Sequence, residues 1–421
     1  MLSTVGISDV NNSQESGSDR IFIIGGGIVG ASLAYFLSKD KEDKHQVILI
    51  DKSLDILQGS TGHAPGFVGQ LNESSVLTIL AKDSVSEYIK VPNGFSVVGG
   101  LELSSTPDGI QTLHRRKELA LSSGLLAELI TPEKAASLAP DFIHARRVKA
   151  GLHFASDGTA DAQKITSYYI HEAQRQGVQL LEAEVTGFSS EDQQITTINS
   201  VDGSINLNGS RLILATGIWT ETLTKNIIDF PVPIIPVAHP YTFTHSRPRR
   251  SGIPYPFVRW LDHHVYARDH GDHDGLGSYD HPPLKHVPSN TAIGAWPSTF
   301  ESVLSEAAAH LKNGQQFLVQ GSSGDSDEKK PFNGIFSVTP DNLPLAGKVP
   351  GLSNLWLCAA IWVTTAAGTA KLISRQVLGK GSSHDEVLMK ALCPSRFEGV
   401  EAGVLEKQAL AKYNDIYNRD S

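Results

Sequence analysis

Residues 20–30 read RIFIIGGGIVG, and residues 46–51 read QVILID. After its leading arginine the first run is short, continuous and apolar, the pattern of a strand buried on both faces of a parallel sheet. Apolar residues with helical period follow over 28–38, and 46–51 reads as a second buried strand. Strand, glycine turn, helix and strand make one βαβ unit. Gly25, Gly27 and Gly30 fit G-x-G-x-x-G: Gly25 permits the tight turn, Gly27 lets the backbone approach a pyrophosphate, and Gly30 lets helix pack on strand. The helix start, with Ile28 and Val29, offers amide donors and a partial positive charge to phosphates. Asp51, followed by Lys52, ends the second strand where an acid accepts bonds from ribose hydroxyls. This pattern does not separate NAD from FAD. A second signal does: 212–219, LILATGIW, is a buried strand ending in Ala-Thr-Gly, more typical of FAD folds, and it puts Gly217 and Trp219 at the cofactor.

The expected fold is α/β, an FAD-binding Rossmann-like domain with a mixed or antiparallel substrate domain. The FAD-binding domain takes 20–95, 151–230 and 331–380. Residues 96–150 form a substrate or cap segment. At 231–330 prolines, aromatics and histidines rise and short alternating strands appear, which marks the antiparallel substrate domain. Residues 1–19 read as a flexible tail and 381–421 as a C-terminal extension. Helices are expected at 75–89, 131–138, 161–176, 298–311 and 366–378. Strands are expected at 99–104, 178–188, 211–216 and 352–358, with a polar loop at 321–330.

The 421 residues are 40% apolar and 19% charged, with a net charge of −9. A mildly acidic chain has no general attraction for nucleic acid or anionic lipid. Cys358 and Cys393 are the two cysteines and cannot build a disulfide framework. No apolar run is long enough to span a membrane. The first residues lack a secretory core and a basic transit composition, so the expected location is the cytoplasm. Histidines gather at His263, His264, His270, His273 and His281, but without the tighter spacing and the cysteine or acid partners of a structural metal site, so no metal is expected.

Residues 59–66, GSTGHAPG, and 77–82, LTILAK, resemble the dimethylglycine dehydrogenase, sarcosine dehydrogenase and dimethylglycine oxidase group of the D-amino-acid-oxidase-like flavoproteins. The resemblance implies a covalent bond from His63 to the flavin, with Ser60, Thr61, Gly62 and Phe67 along the cofactor. It recurs at 184–186, EVT, implying backbone contact of Val185 with adenine. At 236–241, PVAHPY, it implies His239 beside the reacting centre. At 265–271, VYARDHG, and 275–279, GLGSY, it implies that Tyr266 completes the pocket. At 332–341, FNGIFSVTPD, and 361–368, IWVTTAAG, it implies a flavin-facing wall with Trp362, Val363, Thr364 and Thr365. It spans residue 21 to about residue 397. The sequence departs from the group at Thr365, where oxidase relatives often carry histidine, and it stops before a folate-binding half, so no folate domain is expected within this chain.

The implied reaction is oxidation of the C–N bond of a small secondary or tertiary amine, dimethylglycine or sarcosine in kind, by hydride transfer to covalent FAD. Electrons would pass on to oxygen or an electron-transfer protein. Only a neutral amine can push its lone pair into a developing C=N bond, so the pocket must disfavour the ammonium. A neutral histidine and a phenol, His239 and Tyr266, suit that need. A substrate carboxylate calls for a cation, Arg259 or Arg268. The helix expected from 366 would aim its N-terminus at the reduced flavin. Other readings stay open: an oxidase of a different amine or imine in specialised metabolism, a non-catalytic FAD-binding protein, and an NAD dehydrogenase.

Overall fold

In the computed structural model, which describes residues 2–12, 19–40, 45–318, 329–414 and 416, the strand Asp19–Ile24 pairs in parallel with His45–Asp51 on one side and Arg211–Leu214 on the other. Leu355–Ala359 and Gln179–Glu182 extend this sheet in parallel, and Leu345–Lys348 closes one edge antiparallel. Ile21 and Ile23 pack beneath the helices Ile28–Ser38, Ser75–Tyr88, Ala162–Arg175 and Ala366–Val377. Phe22 and Ile24 face the opposite side, against Ile195, Ile198 and Ile205 of an antiparallel meander. Both faces are covered, which is why the strand is apolar without alternation.

The expected strand 178–188 is two strands. Gln179–Glu182 ends the parallel sheet, Ala183 N bonds Asp51 O at 2.9 Å, and Val185–Glu191 then opens the meander. An apolar run shows extended chain but not the sheet it joins. The tail reading of 1–19 also needs correction where the chain is described. Ile7–Asn12 is a helix with Val10 fully buried, and Val5 N donates to Leu180 O at 2.8 Å. Three apolar side chains, Val5, Ile7 and Val10, suffice to dock a stretch whose average composition is polar. Most of the loop expected at 321–330 lies outside the described residues.

The second layer is a nine-stranded sheet running Ile293–Gly294, Phe332–Val338, Ile235–Phe243, Asp274–Ser278, Val265–Asp269, Phe257–Trp260, Gly100–Ser104, Ala150–Phe154, Ala127–Ile130. Gly100–Ser104 joins Phe257–Trp260 in parallel, so the stretches 96–150 and 231–330 share one sheet. The helix Pro107–Ser122, not expected from the sequence, lies on it. Thr106 caps this helix by accepting from Gly109 N at 3.1 Å. The C-terminal stretch folds into Ser383–Leu392, opened by a capping box of Ser382 and Asp385, and Ala402–Asn414, which packs on Ile235–Phe243 and Phe332–Val338.

Candidate active site

The cradle forms where the central strand turns into the helix Ile28–Ser38. Gly25 has φ +108°, and a Cβ there would sit 2.4 Å from Ala215 O. A Cβ on Gly30 would lie 1.7 Å from Gly25 O, so a side chain would drive helix and strand apart. The Ile28 amide donates to Thr61 Oγ1 at 3.1 Å, and Asp51 Oδ2 accepts from Gly26 N at 2.6 Å. Burial pushes the Asp51 carboxyl up, against the bonds from the Gly26 and Ser53 amides. Lys52 lies 5.4 Å over the Trp219 ring, whose Nε1 donates to Ser289 O at 2.7 Å.

A cavity of about 530 Å³ takes in this cradle and an aromatic pocket on the nine-stranded sheet. Its walls include Gly25, Gly27, Ile28, Val29, Asp51 and Lys52 at the cradle, with Val185, Gly217 and Trp219. Ser60, Thr61, His63 and Phe67 line it from the loop, and Trp362, Val363, Thr364 and Thr365 from the turn before the last sheet-packed helix. Two residues expected at the cofactor do not line it. Gly30 packs on Gly25. Gly62 sits where a Cβ would be 2.0 Å from Leu57 O, and its carbonyl accepts from Gln163 Nε2 at 2.7 Å. Both serve the backbone that shapes the cavity.

His63 ends the turn Ser60–His63, which Ser60 Oγ pins to Ile335 O at 3.1 Å. Burial pushes its imidazole below the ordinary value, so it is neutral at pH 7. At the aromatic end, Ile235–Phe243 supplies His239 and Tyr241, and Val265–Asp269 supplies Tyr266. His239 is 2% exposed; its Nε2 is 2.8 Å from Tyr266 Oη and its Nδ1 is 2.7 Å from Tyr413 Oη. Burial, reinforced by the nearby His281, holds its pKa well below the usual value. The Tyr266 ring crosses Gly277 on the neighbouring strand, where a Cβ would be 2.4 Å from Tyr266 Oη; only glycine leaves room for it.

The two candidate arginines differ. Arg259 lines the cavity, lies 4.6 Å over the Phe67 ring and 5.4 Å over Phe257, and meets Glu102 Oε1 at 3.4 Å. Arg268 is not among the lining residues; it donates to Pro65 O and Ala160 O, tying the loop after His63 to the sheet. The helix Ala366–Val377 begins at the cavity wall, as the sequence led us to expect. However, Gly368 N donates to Ser84 Oγ at 2.8 Å and Ala367 N to Tyr88 Oη at 3.4 Å, so its influence on the cavity is the field of the helix rather than those amides.

Sequence reasoning did not single out Tyr241, Tyr279 or Phe336 as wall residues, although the first two fall inside quoted motifs. Tyr413 had no signal: it comes from the C-terminal extension and reaches His239 only through the fold. The histidine cluster is dispersed: His263 stacks on His310, His270 meets Tyr241 Oη, and His281 meets Tyr413. Among the described residues no His, Cys, Asp and Glu group could hold a metal, and no helix is long and apolar enough to cross a membrane.

The glycine cradle, the acid at the second strand's end and a long cavity ending in aromatic side chains fit a flavin dinucleotide. A family model for FAD dependent oxidoreductases (DAO) matches residues 20–376. The chain is 28% identical over 372 residues to mitochondrial dimethylglycine dehydrogenase of Rattus norvegicus, covering 85% of this chain and 42% of that protein. It is 24% identical to 4-methylaminobutanoate oxidase (formaldehyde-forming) of Paenarthrobacter nicotinovorans, covering 90% of this chain and 46% of that one. The chain thus spans less than half the length of these relatives. Among solved structures, L-proline dehydrogenase from P. horikoshii matches with a TM-score of 0.77 at 22% identity, covering 90% of this chain and 98% of that one.

Proposed function

Because the chain belongs to the FAD-dependent oxidoreductase family, we propose that it oxidises the methyl C–N bond of a small N-methylated amino acid, giving the lower amine and formaldehyde after hydrolysis of the iminium. One observation carries the reading: an uncharged, buried His239–Tyr266 pair and the Arg259 guanidinium face one cavity. Bound FAD supplies the hydride acceptor. Arg259 holds the substrate carboxylate, its charge-assisted bonds fixing which end of the molecule meets the aromatic pocket. The apolar rings of Phe67, Tyr279 and Phe336 exclude water and favour the neutral amine. Tyr266 and His239 orient the nitrogen without adding a negative charge that would hold its proton.

The reading extends to His63 as a covalent anchor for FAD. It is supported by a neutral imidazole in the cavity wall on a pinned turn. Intact mass of the denatured protein checks it: a mass excess equal to the cofactor is expected, and His63→Ala should lose it. The substrate reading is tested by anaerobic titration with dimethylglycine, sarcosine and 4-methylaminobutanoate beside methylamines lacking a carboxylate. Bleaching of the flavin band by the acids alone is expected. No bleaching by any N-methyl acid rejects the substrate class. Peroxide release on reoxidation tells whether oxygen or an electron-transfer protein takes the electrons.

A further inference from the structure

The bonds around His239 continue away from the cavity. Its Nδ1 meets Tyr413 Oη at 2.7 Å, Tyr413 Oη meets His281 Nε2 at 2.8 Å, and His281 Nδ1 meets Pro282 O at 2.9 Å. A carbonyl only accepts, so Nδ1 of His281 carries a proton, and in the neutral ring Nε2 is an acceptor. Tyr413 therefore donates its single hydroxyl proton to His281, and its oxygen accepts from Nδ1–H of His239. The other nitrogen of His239 is then an acceptor too, and Tyr266 donates to it. Every bond points the same way, from the cavity outward, and the order follows from one backbone carbonyl. Tyr266 Oη, its proton committed to His239, meets the cavity as an acceptor.

We propose that Tyr266, His239, Tyr413 and His281 form a directional proton wire that strips the proton from the substrate ammonium and passes it toward the surface at Asp280. This rests on the amine-oxidising reading above. The substrate N–H breaks as Tyr266 gains a proton. Tyr266 passes its own proton to His239 Nε2, His239 passes its Nδ1 proton to Tyr413, and Tyr413 passes its proton to His281 Nε2. As many bonds form as break, no electrons move, and the products are a neutral amine and an imidazolium at His281. That end suits a positive charge better than His239 does: the Pro282 carbonyl and the Asp280 carboxylate both favour the protonated ring, whereas burial and the charge of His281 disfavour it at His239. Asp280 itself is exposed.

Other charges near the wire are Arg259 toward Tyr279, Arg268 and Asp274 toward Tyr241, and the exposed Glu406–Lys285 pair. Tyr413 is wholly buried, and Asn414 beside it donates to Tyr279 O and His281 O at 2.7 and 2.8 Å, clamping the C-terminal helix to the loop that carries His281. Tyr413 and His281 are thus positioning residues, acting on the substrate only through His239 and Tyr266.

Two measurements on the holoenzyme test the wire. In ¹⁵N-histidine NMR, His239, assigned by the signal lost in His239→Gln, is expected as the Nδ1–H tautomer; an Nε2–H tautomer in the wild type overturns the proposal. In anaerobic stopped-flow with dimethylglycine, Tyr413→Phe and His281→Gln are each expected to slow flavin reduction roughly tenfold or more below the pKa of the amine. The deficit should shrink as pH rises past that pKa, because the substrate then arrives neutral. Slowing by one factor at every pH, or no slowing at any, overturns the wire. A wild type that no methylated amine reduces rejects the proposed function instead, and the tautomer measurement still judges the wire.

Discussion

Asp157 and Glu102 are two buried carboxyls with opposite fates. Asp157 Oδ1 accepts from Gln70 N at 3.0 Å, yet burial outweighs this and the charge of Arg259, and its pKa is pushed up to about 7. For Glu102, burial is overcome by the charges and hydrogen bonds of Arg116 and Arg259, and the carboxyl lies below its usual range. The signs of their linkage to folding follow. Asp157 is held protonated where the unfolded chain would ionise, so it lowers stability progressively as pH rises from about 4 to about 7. Glu102 contributes stability above the ordinary glutamate pKa that is lost as pH falls through its depressed folded value. Asp157→Asn should remove the loss between pH 4 and 7, read as a flatter plot of urea midpoint against pH; an unchanged plot would show that the carboxyl titrates normally. At the cavity, Arg259→Gln should raise KM for an N-methyl acid by about tenfold to a hundredfold, the cost of about 1.5–3 kcal/mol for a charge-assisted bond. Steady-state kinetics with and without the substrate carboxylate check it. The residues legible in the sequence were those inside short ordered motifs. His63, His239 and Tyr266 sit in strings whose order carries the resemblance, whereas Tyr413 stands alone in a polar helix and acquires its partners only in three dimensions.

Elements were legible where their pattern was local. The strand, glycine turn and helix of the cradle follow from apolar period and glycine spacing, and the structure repeats them to within a residue or two. The helix Pro107–Ser122 went unread because its buried stripe is Leu113, Arg116 and Ala120: helical spacing holds, but the middle position is charged. That position makes sense only with Glu102, which Arg116 grips through Nε and Nη2 at 2.7 and 2.8 Å on a strand distant in sequence. Arg116→Ala would leave Glu102 buried without this partner and should cost about 3–5 kcal/mol, measured by urea unfolding. Replacing both residues by leucine should cost much less, since no charge is then stranded. In the cradle, Gly30→Ala forces a methyl into Gly25 O, and the expected outcome is a folded but colourless protein. Retention of FAD by that variant would mean that the strand and helix can part without losing the site.

For the whole molecule, the parallel α/β layer was legible, because buried strands alternating with amphipathic helices admit few topologies. The composition change near 231 marked the second layer but not its extent. Nothing local announces that Gly100–Ser104 will lie beside Phe257–Trp260 rather than next to a sequence neighbour. The same holds at the C-terminus, where Ala409 and Tyr413 are fully buried on the nine-stranded sheet. Truncation before Ala402 bares that face and removes an entire hydrogen-bonding partner of His239. A melting temperature lower by several degrees and loss of turnover are expected, by calorimetry and by flavin reduction.

The interleaving of the two layers has a consequence for biosynthesis. Each sheet depends on strands encoded late: Phe332–Val338 completes the pairing of Ile235–Phe243, and Leu355–Ala359 flanks Arg211–Leu214 in the cradle sheet. A nascent chain leaving the ribosome therefore carries open strand edges in both layers until the last fifth of the message has been translated. Slowing elongation upstream of that point should lengthen the exposure and divert product into aggregates, whereas a slow stretch after Ala359 should have little effect.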